Sequence, residues 1–325
     1  KQATILIDME GQIVKEWPLP TDPGNYSYLL KNGNLLAAST TEPGPPYAPK
    51  GGLIQEIDWE GNIVWEFRDD FQHHDFRQLD NGNIIYLGWE ILPEIYMARI
   101  EGGIPGSEAD AGIWGDYIRE VDRAGETVWE WHIYDHIDPE KYPLPAHAHR
   151  EEYAHANTLA PTADGNLLVC LRQIDLVILI DKASGKIIWE RQDKSWGGPH
   201  DPHELENGNI LIFANQDRQR PLGSKVIEFD RHTGETVWEY QGNPTHSFFS
   251  HFISGAQRLW SGNTLICEGL WGRIFEVTAD GEIVWEYVSP YWSRNRKGPT
   301  VGDCNFVFRA YRYQADGPEI QGRLS

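Results

Sequence analysis

The chain has 325 residues, and its 28 Lys and Arg against 49 Asp and Glu give a formal net charge of −21. Nucleic acids and anionic membranes need a basic surface on their partners, so this charge excludes both as main partners. The 14 Trp and 32 Gly beside only 2 Met indicate a β-rich chain with many turns. The three cysteines are odd in number and far apart, which favours buried thiols over disulfides.

The ends of the chain carry little information about its compartment. The sequence starts at Lys1 rather than Met, which indicates that the natural N-terminus has been removed, so a signal peptide cannot be judged. No apolar run approaches the roughly 18 residues of a membrane-spanning helix. The compartment is therefore unknown from these features alone.

Two short patterns alternate along the chain, and both are typical of β-hairpins. The first is Gly-x-[Ile/Thr/Val]-[Val/Ile]-Trp-Glu, with a degenerate first copy, and its glycines are Gly11, Gly61, Gly125, Gly185, Gly234 and Gly281. The second is x-Gly-Asn before an apolar run, and its glycines are Gly33, Gly82, Gly165, Gly208 and Gly262. Asn-Gly and Asp-Gly favour the positive φ of tight turns between two strands.

The spacing of these hairpins predicts the fold. The glycines of the first pattern are separated by 50, 64, 60, 49 and 47 residues. Two hairpins in each unit of about 50 residues make a four-stranded propeller blade. Six copies predict an all-β, six-bladed propeller that forms a single domain over residues 1–325. Residues 1–17 are expected to supply outer strands of the closing blade, and residues 305–313 its inner strand.

The longer intervals mark insertions into the repeat. We expect loops at residues 91–116 and 132–152, which are rich in Pro, Gly, His and acidic residues, and a further loop at residues 289–303. Long loops on a rigid scaffold are where function concentrates.

The turn glycines also locate a candidate site. Eight to ten residues before each turn glycine, the innermost strand of a blade is expected to start at one mouth of a central channel. The polar residues at or near these starts are Asn25, His74, His155, Asn157, His200, His251 and Ser254. Six or seven residues after the glycine, the second strand returns to the same mouth with Thr40, Trp89, Arg172, Asn215 and Glu268. Polar side chains that converge from several blades predict a binding pocket.

The order of these motifs resembles that of the bacterial arylsulfotransferases, which are propeller enzymes that move a sulfuryl group between phenols without a nucleotide donor. The resemblance rests on the Trp-Glu blade signature, the segment from His73 to Asn83, the pair His155 and Asn157 followed by Arg172, and the segment from His200 to Asn209. It covers about residues 5–313.

The resemblance implies roles for individual residues. His200 would attack sulfur and carry the sulfuryl group, because a neutral imidazole is a competent nucleophile. His74, His155, Asn157 and Arg172 would hold the sulfuryl oxygens and manage the proton of the leaving phenol. Five further residues are assigned by their position near the mouth and not by the resemblance. They are expected to contact substrate, and these are His203, His251, Trp89, Asn215 and Glu268.

The family also implies a small aromatic or anionic substrate, no cofactor, and a periplasmic or secreted protein. The extra N-terminal β-domain and the cysteine pair of its well-known members are not found in this sequence. The chain is therefore expected to be a bare propeller.

Two other functions are compatible with the same residues. A divalent metal held by His74, His155, His200 and His251 would make the protein a lyase or hydrolase acting on an acidic carbohydrate or small polar molecule, with Arg172 binding a carboxylate. A propeller is also a common non-catalytic binding module.

The pair His147 and His149 could supply half of a metal site, which Glu151 and Glu152 would complete. A solvated lid is the favoured interpretation of this segment. Trp89, Trp196, Trp271 and Trp292 break the repeat and are expected to line an aromatic acceptor site.

Overall fold

The structure is a computed structural model that describes residues 2–216, 223–295 and 302–324. The chain divides into two compact units, the first made of Lys1–His74 and Gln257–Ser325 and the second of Asp75–Ala256. The described part of the chain holds no helix with the length and apolar character needed to span a membrane.

The described residues form 26 strands, two single-turn α-helices and three short 3-10 helices at Arg172–Ile174, Thr245–Ser247 and Gly269–Trp271. The strands up to the first insertion are β1 (Ala3–Ile7), β2 (Ile13–Pro18), β3 (Pro23–Leu29), β4 (Leu35–Thr40), β5 (Gly52–Ile57), β6 (Ile63–Arg68), β7 (Gln72–Gln78) and β8 (Ile84–Ile91). The following elements, through the second insertion, are α1 (Glu94–Met97), β9 (Gly102–Ile104), β10 (Trp114–Val121), β11 (Thr127–His132), α2 (Ile133–His136) and β12 (Leu144–His149).

The remaining strands belong to the later repeats and the C-terminal segment. Those of the third and fourth repeats are β13 (Ala156–Pro161), β14 (Leu167–Leu171), β15 (Leu176–Asp181), β16 (Lys186–Gln192), β17 (His200–Glu204), β18 (Ile210–Ala214), β19 (Lys225–Phe229) and β20 (Thr236–Gln241). The last ones are β21 (Gly255–Arg258), β22 (Thr264–Glu268), β23 (Arg273–Val277), β24 (Ile283–Val288), β25 (Ser293–Asn295) and β26 (Gly302–Cys304).

Five four-stranded antiparallel sheets carry the repeat. Their strand orders are β3-β4-β5-β6, β7-β8-β10-β11, β13-β14-β15-β16, β17-β18-β19-β20 and β21-β22-β23-β24. The inner strands are buried on both faces, whereas the outermost strands alternate between exposed and half-buried residues. This pattern is expected for sheets that are covered on both faces except at the outer edge.

The outer edges are tied to the following repeat by tryptophan. The indole Nε1 of Trp189, in β16, donates to the carbonyl of Arg231 in the β19–β20 turn at 3.0 Å. The repeated tryptophan of this sheet therefore contacts the neighbouring sheet. The three cysteines are buried thiols that form no disulfide, as predicted.

The N-terminal hairpin β1–β2 takes part in the same kind of indole-to-carbonyl hydrogen bond with its neighbours in the first unit. The Nε1 of Trp285, in β24, donates to the carbonyl of Met9 at 2.8 Å, and the Nε1 of Trp17 donates to that of Asp58 at 3.0 Å. The hairpin thus contacts both the β21–β24 sheet and the β3–β6 sheet.

The inner strand expected at residues 305–313 is not formed, and this prediction was wrong. The segment is irregular because other groups take its backbone hydrogen bonds. The amide of Arg312 donates to the Gln257 side chain at 2.7 Å, and that of Val307 donates to the Gly269 carbonyl at 3.0 Å.

The insertions at residues 91–116 and 132–152 are more ordered than the expected loops. Their strands β9 and β12 pair in parallel, and α1 and α2 contribute Tyr96 and Ile133 to one buried apolar cluster. Arg99 binds Asp138 and Glu140 across the two insertions at 2.7 and 2.8 Å. In the third expected loop, residues 289–303, β25 and β26 pair, and residues 296–301 lie outside the described residues.

The x-Gly-Asn turns hold a buried carboxylate in the third strand of their sheet. In the β17–β20 sheet, Asn207 and Asn209 both donate to Glu228, at 3.0 and 2.7 Å. The same arrangement joins Asn81 and Asn83 to Glu120. The turn asparagines therefore hydrogen-bond a charge that burial would otherwise make costly.

This arrangement predicts the effect of N209A on stability. Removal of one donor from the buried Glu228 carboxylate should lower the free energy of unfolding by about 1–3 kcal/mol. The matched control is N166A, at the same turn position, where the amide binds Asp164 in an exposed turn at 3.0 Å. The free energy of unfolding of N166A should differ from that of the wild type by no more than about 0.5 kcal/mol. Urea unfolding checks both values, and equal losses would contradict a special role for the buried carboxylate.

Candidate functional site

A left-handed residue lies in or directly before the first strand of each four-stranded sheet. These residues are Asn25 (φ +81°), His74 (φ +46°), His155 (φ +54°), Asp201 (φ +56°) and Ser254 (φ +89°). Strand pairing is irregular at this point in β3, β13 and β17, as in a β-bulge. A bulge redirects side chains, and strained backbone of this kind clusters at functional sites. The bulge coincides within one residue with the repeat position at which the sequence predicts polar side chains.

In the second unit, three successive strand starts are linked side by side. The Nδ2 of Asn157 donates to the carbonyl of Pro199 at 2.8 Å, and the amide of Asp201 donates to the Thr158 hydroxyl at 2.9 Å. The Asp201 carboxylate then accepts the amide of Ala256 at 3.2 Å. Asn157 is fully buried, so this hydrogen bond fixes the segment just before His200.

A carboxylate holds His155 in one tautomer. The Nδ1 of His155 lies 2.8 Å from Oε2 of Glu152, and Oε1 of Glu152 accepts the indole N–H of Trp89 at 2.6 Å. A carboxylate only accepts hydrogen bonds, so the imidazole must carry its proton on Nδ1. In the neutral ring, Nε2 is then the nitrogen with the lone pair.

Arg172 connects the backbones near His155 and His200. Its amide donates to the carbonyl of His155 at 3.1 Å, and its side chain passes along Gly198. A Cβ atom on Gly198 would lie 3.5 Å from the Nε of Arg172, so the guanidinium stem runs directly against this turn.

His251 is half-buried beside two aromatic rings, and the positive charge of Arg172 affects its pKa. Its ring centroid lies 4.6 Å from that of Phe252 and 6.1 Å from that of Phe249. Burial lowers the pKa of His251 below its ordinary value, and the positive charge of Arg172 lowers it further. His251 therefore favours the neutral form more strongly than an exposed histidine does.

His200 is buried, and both of its ring nitrogens have hydrogen-bond partners. The Nδ1 lies 2.7 Å from Oδ1 of Asn215 and 3.1 Å from the carbonyl of Gly198, and both of these groups only accept. The Nε2 accepts the amide of Ile253 at 3.1 Å. These partners define a neutral imidazole with its proton on Nδ1 and its lone pair on Nε2.

Asn215 holds the segment that covers His200. Its Nδ2 donates to the carbonyls of Ser250 and Ile253, both at 2.8 Å, while its oxygen accepts the proton of His200. Both ends of the amide are thus engaged within the protein. The expected contact of Asn215 with substrate stays a prediction, and in this structure the residue positions His200.

The other predicted site residues have separate surroundings. His203 lies on β17 with its Nδ1 3.0 Å from the carbonyl of Asp201. In the first unit, His74 is buried with its Nδ1 2.7 Å from that of His73. Glu268, also in the first unit, binds Arg273 at 3.1 Å. The catalytic and substrate-binding roles expected for these residues stay predictions.

The tryptophans that break the repeat do not share one environment. Trp89 and Trp196 are each only 1% exposed, whereas Trp271 and Trp292 are 56% and 63% exposed. Trp89 binds Glu152, and Trp196 stacks on Phe229 with a centroid distance of 5.8 Å.

The geometry does not favour the metal alternative. Across residues 2–216, 223–295 and 302–324, no three His, Cys, Asp or Glu side chains are close enough to hold a metal ion. His147 and His149 are exposed on β12, as the lid interpretation predicts, whereas Glu152 is buried against His155.

Two residues at the site carry roles that the sequence analysis missed. Glu152 was considered only as a partner of His147 and His149, although its position three residues before His155 was an available signal. Asp201 was not considered, although a His-Asp pair occurs both at His200 and at His74.

Comparison with known proteins identifies a family over most of the chain. A family model described as arylsulfotransferase (ASST) matches residues 28–290. No curated protein sequence matches this chain.

Several solved structures are similar in fold. A protein of unknown function from Bacteroides caccae has a TM-score of 0.58 at 16% identity, covering 88% of this chain and 89% of its own. Virginiamycin B lyase from Staphylococcus aureus has a TM-score of 0.51 at 16% identity, covering 89% of this chain and 78% of its own. A streptogramin B lyase gives the same TM-score and identity, with 88% and 76% covered. At this identity the likeness shows the fold alone, which is a mostly-β propeller.

The electrostatic effect of Arg172 on His251 predicts a change in the pKa of His251 when the charge is removed. In R172Q, the pKa of His251 should rise but stay below that of an exposed histidine, because burial is the larger cause of the shift. Proton–carbon NMR of the His251 ring measures it. The control R191Q removes a guanidinium that packs on Phe229, with its centre 4.5 Å from the ring centroid, and should leave His251 unchanged. An unchanged His251 in R172Q would contradict the assignment.

The same shift predicts how stability depends on pH. Well above a pH of about 6.5, the ordinary pKa of histidine, His251 is neutral in both the folded and the unfolded chain and contributes no slope. As the pH falls, the unfolded chain binds the proton first, so stability declines until the lowered folded-state pKa is passed. H251Q should therefore lose less stability than the wild type between about pH 7 and about pH 5. Urea unfolding at each pH checks this, and parallel curves for the two proteins would refute it.

Proposed function

We propose, because this chain belongs to the arylsulfotransferase (ASST) family, that it is a transferase that moves a sulfuryl group from an aryl sulfate to a phenol. The group is carried on a histidine, and no nucleotide sulfate donor takes part. The observation that carries this proposal is the tautomer of His200, which has its proton on Nδ1 and its lone pair on Nε2, where it accepts the Ile253 amide.

His200 is the proposed nucleophile. Asn215 accepts its Nδ1 proton at 2.7 Å, so the ring need not lose a proton before Nε2 attacks sulfur. The Ile253 amide marks the direction of that lone pair, at 3.1 Å. This amide must move away when the donor binds. Ile253 and Ser254 both have positive φ, so the segment that has to move is already strained.

Arg172 and His251 supply the electrostatic environment. The sulfuryl oxygens and the departing aryl oxygen gain negative charge in the transition state, and a guanidinium beside them stabilises that charge. The lowered pKa of His251 keeps its ring neutral, so beside Phe249 and Phe252 it offers an aromatic surface suited to a phenyl ring.

The reaction takes two steps. In the first, His200 Nε2 forms a bond to sulfur while the bond from sulfur to the aryl oxygen breaks, and the phenolate takes a proton from His155. In the second, an acceptor phenol gives its proton to His155 and its oxygen bonds to sulfur, while the N–S bond breaks. Covalent transfer through one residue gives ping-pong kinetics. The role of His74 is part of this proposal as a prediction from the resemblance, and the substrate contacts of His203 and Glu268 are predictions from their position near the mouth.

We also propose a sixth blade for the propeller. The β1–β2 hairpin contacts the sheets that precede and follow it in the first unit through Trp285 and Trp17. These indole-to-carbonyl bonds match the one between Trp189 and Arg231 in neighbouring four-stranded sheets. The hairpin is therefore proposed as the outer half of the closing blade.

The central test is the covalent intermediate. Incubation with 4-nitrophenyl sulfate in the absence of an acceptor should add one sulfuryl group to the peptide that contains His200, as read by mass spectrometry at neutral or basic pH. Addition of a phenol should remove it. H200Q should carry no adduct, whereas the control H232Q, in the exposed β19–β20 turn, should carry the wild-type amount. An adduct on His155 or His251 instead would reject His200 as the nucleophile, and the absence of any adduct or transfer would reject the proposed function.

A further inference from the structure

Glu152 is a buried acid that the sequence assigns to no catalytic role. It lies at the end of the second insertion, and 7% of its surface is exposed. Its backbone neighbourhood is fixed to β10, because the amide of Trp114 donates to the Glu151 carbonyl at 2.9 Å and that of Tyr153 to the Trp114 carbonyl at 2.8 Å. The carboxyl group is therefore held in place by the second sheet while it faces the start of the third.

The two oxygens of Glu152 accept from two different donors. Trp89 Nε1 donates to Oε1 at 2.6 Å, and His155 Nδ1 donates to Oε2 at 2.8 Å. An indole N–H can only donate, so Trp89 orients the carboxylate without competing for the proton of the imidazole. Hydrogen bonds to an ionised acceptor are stronger than neutral ones, which makes this a firm anchor for the ring.

We propose that Glu152, oriented by Trp89, is the positioning residue for His155, which it holds with the proton on Nδ1 so that Nε2 gives and takes the phenol proton. This inference rests on the proposed sulfuryl transfer. In the first step the imidazolium form of His155 releases its Nε2 proton to the departing phenolate. The Nδ1 proton stays on the ring, hydrogen-bonded to the carboxylate, and the neutral ring then accepts the proton of the acceptor phenol at Nε2.

Trp89 has a different role from the substrate contact expected from its sequence position. Its indole N–H donates to Glu152, and its side chain is buried. Trp89 is thus a support of the acid–base residue, two hydrogen bonds removed from the reacting atoms.

The test uses E152Q, which keeps the size of the side chain and removes its charge. In glutamine one of the two oxygens becomes an NH2 group, which only donates. Because the indole of Trp89 can also only donate, the remaining oxygen faces Trp89 and the NH2 group faces Nδ1 of His155, which favours the imidazole proton on Nε2. Nitrogen-15 NMR of the histidine rings should show the Nδ1–H form of His155 in the wild type and loss of that form in E152Q. A wild-type tautomer in E152Q would overturn the inference.

Kinetics supply an independent readout. For phenyl sulfate, a poor leaving group, kcat of E152Q should fall by about 10²-fold with little change in KM. For 4-nitrophenyl sulfate, whose phenolate needs less help from a proton, the fall should be smaller. In the H155Q background, E152Q should cause no further loss, because Glu152 acts through His155. Equal losses with both donors, or additive losses in the double variant, would overturn the inference.

Control variants separate this role from general damage. E190Q changes a surface glutamate that pairs with Lys141, and should leave the kinetics and the His155 tautomer unchanged. If E152Q does not fold, W89F tests the same anchor, with a partial loss of the Nδ1–H form expected. A fully retained tautomer in W89F together with a large rise in KM would place Trp89 against the substrate and overturn its supporting role.

The two proposals fail in different ways. A wild-type protein that transfers no sulfuryl group to any phenol would reject the proposed function, while the NMR experiment on E152Q would still decide whether Glu152 sets the tautomer of His155.

Discussion

The site depends on a backbone feature, the left-handed residue that starts the first strand of each four-stranded sheet. Such a conformation costs a non-glycine residue on the order of 1–3 kcal/mol, and it persists only where the surroundings fix it. In the second unit, those surroundings are the bonds from Asn157 to Pro199, from Asp201 to Thr158, and from Ala256 to Asp201. Each strained strand start is therefore held by its neighbour, and together they fix the histidines.

The hydrogen-bond partners of the two histidines also determine which ring nitrogen carries the proton. The imidazoles of His155 and His200 both carry the proton on Nδ1, but for different reasons, since one faces a carboxylate and the other a neutral amide. A carboxylate stabilises an imidazolium, which suits a residue that gives and takes protons. A neutral amide only selects the tautomer, which suits a nucleophile. Glu152 thus suits His155 for proton transfer, and Asn215 suits His200 for attack on sulfur.

The repeat could be predicted from the sequence because its signal is local. Gly82 and Gly208 sit in tight turns with φ of +82°, and the four-stranded sheets follow from their spacing. The bulge position was also accessible, since counting from the turns leads to His74, His155 and the residue beside Asp201. These features depend on a few adjacent residues and on a period.

The features that sequence analysis missed depend on long-range contacts. Glu152 reaches His155 only because the second insertion returns along β10, and the Ile253 amide reaches His200 across 53 residues. The strand expected at residues 305–313 fails to form because Gln257 and Gly269 take its backbone bonds. No periodicity records such contacts, so they become visible only in the folded chain.

The most direct measurement is a crystal structure with phenylmethanesulfonate, in which a methylene replaces the bridging oxygen of an aryl sulfate and prevents transfer. Our account predicts the sulfonate against the Arg172 guanidinium, with sulfur facing His200 Nε2 and the Ile253 amide displaced from that nitrogen. A sulfonate bound away from Arg172, or a bond from Ile253 to His200 that persists in the complex, would contradict it.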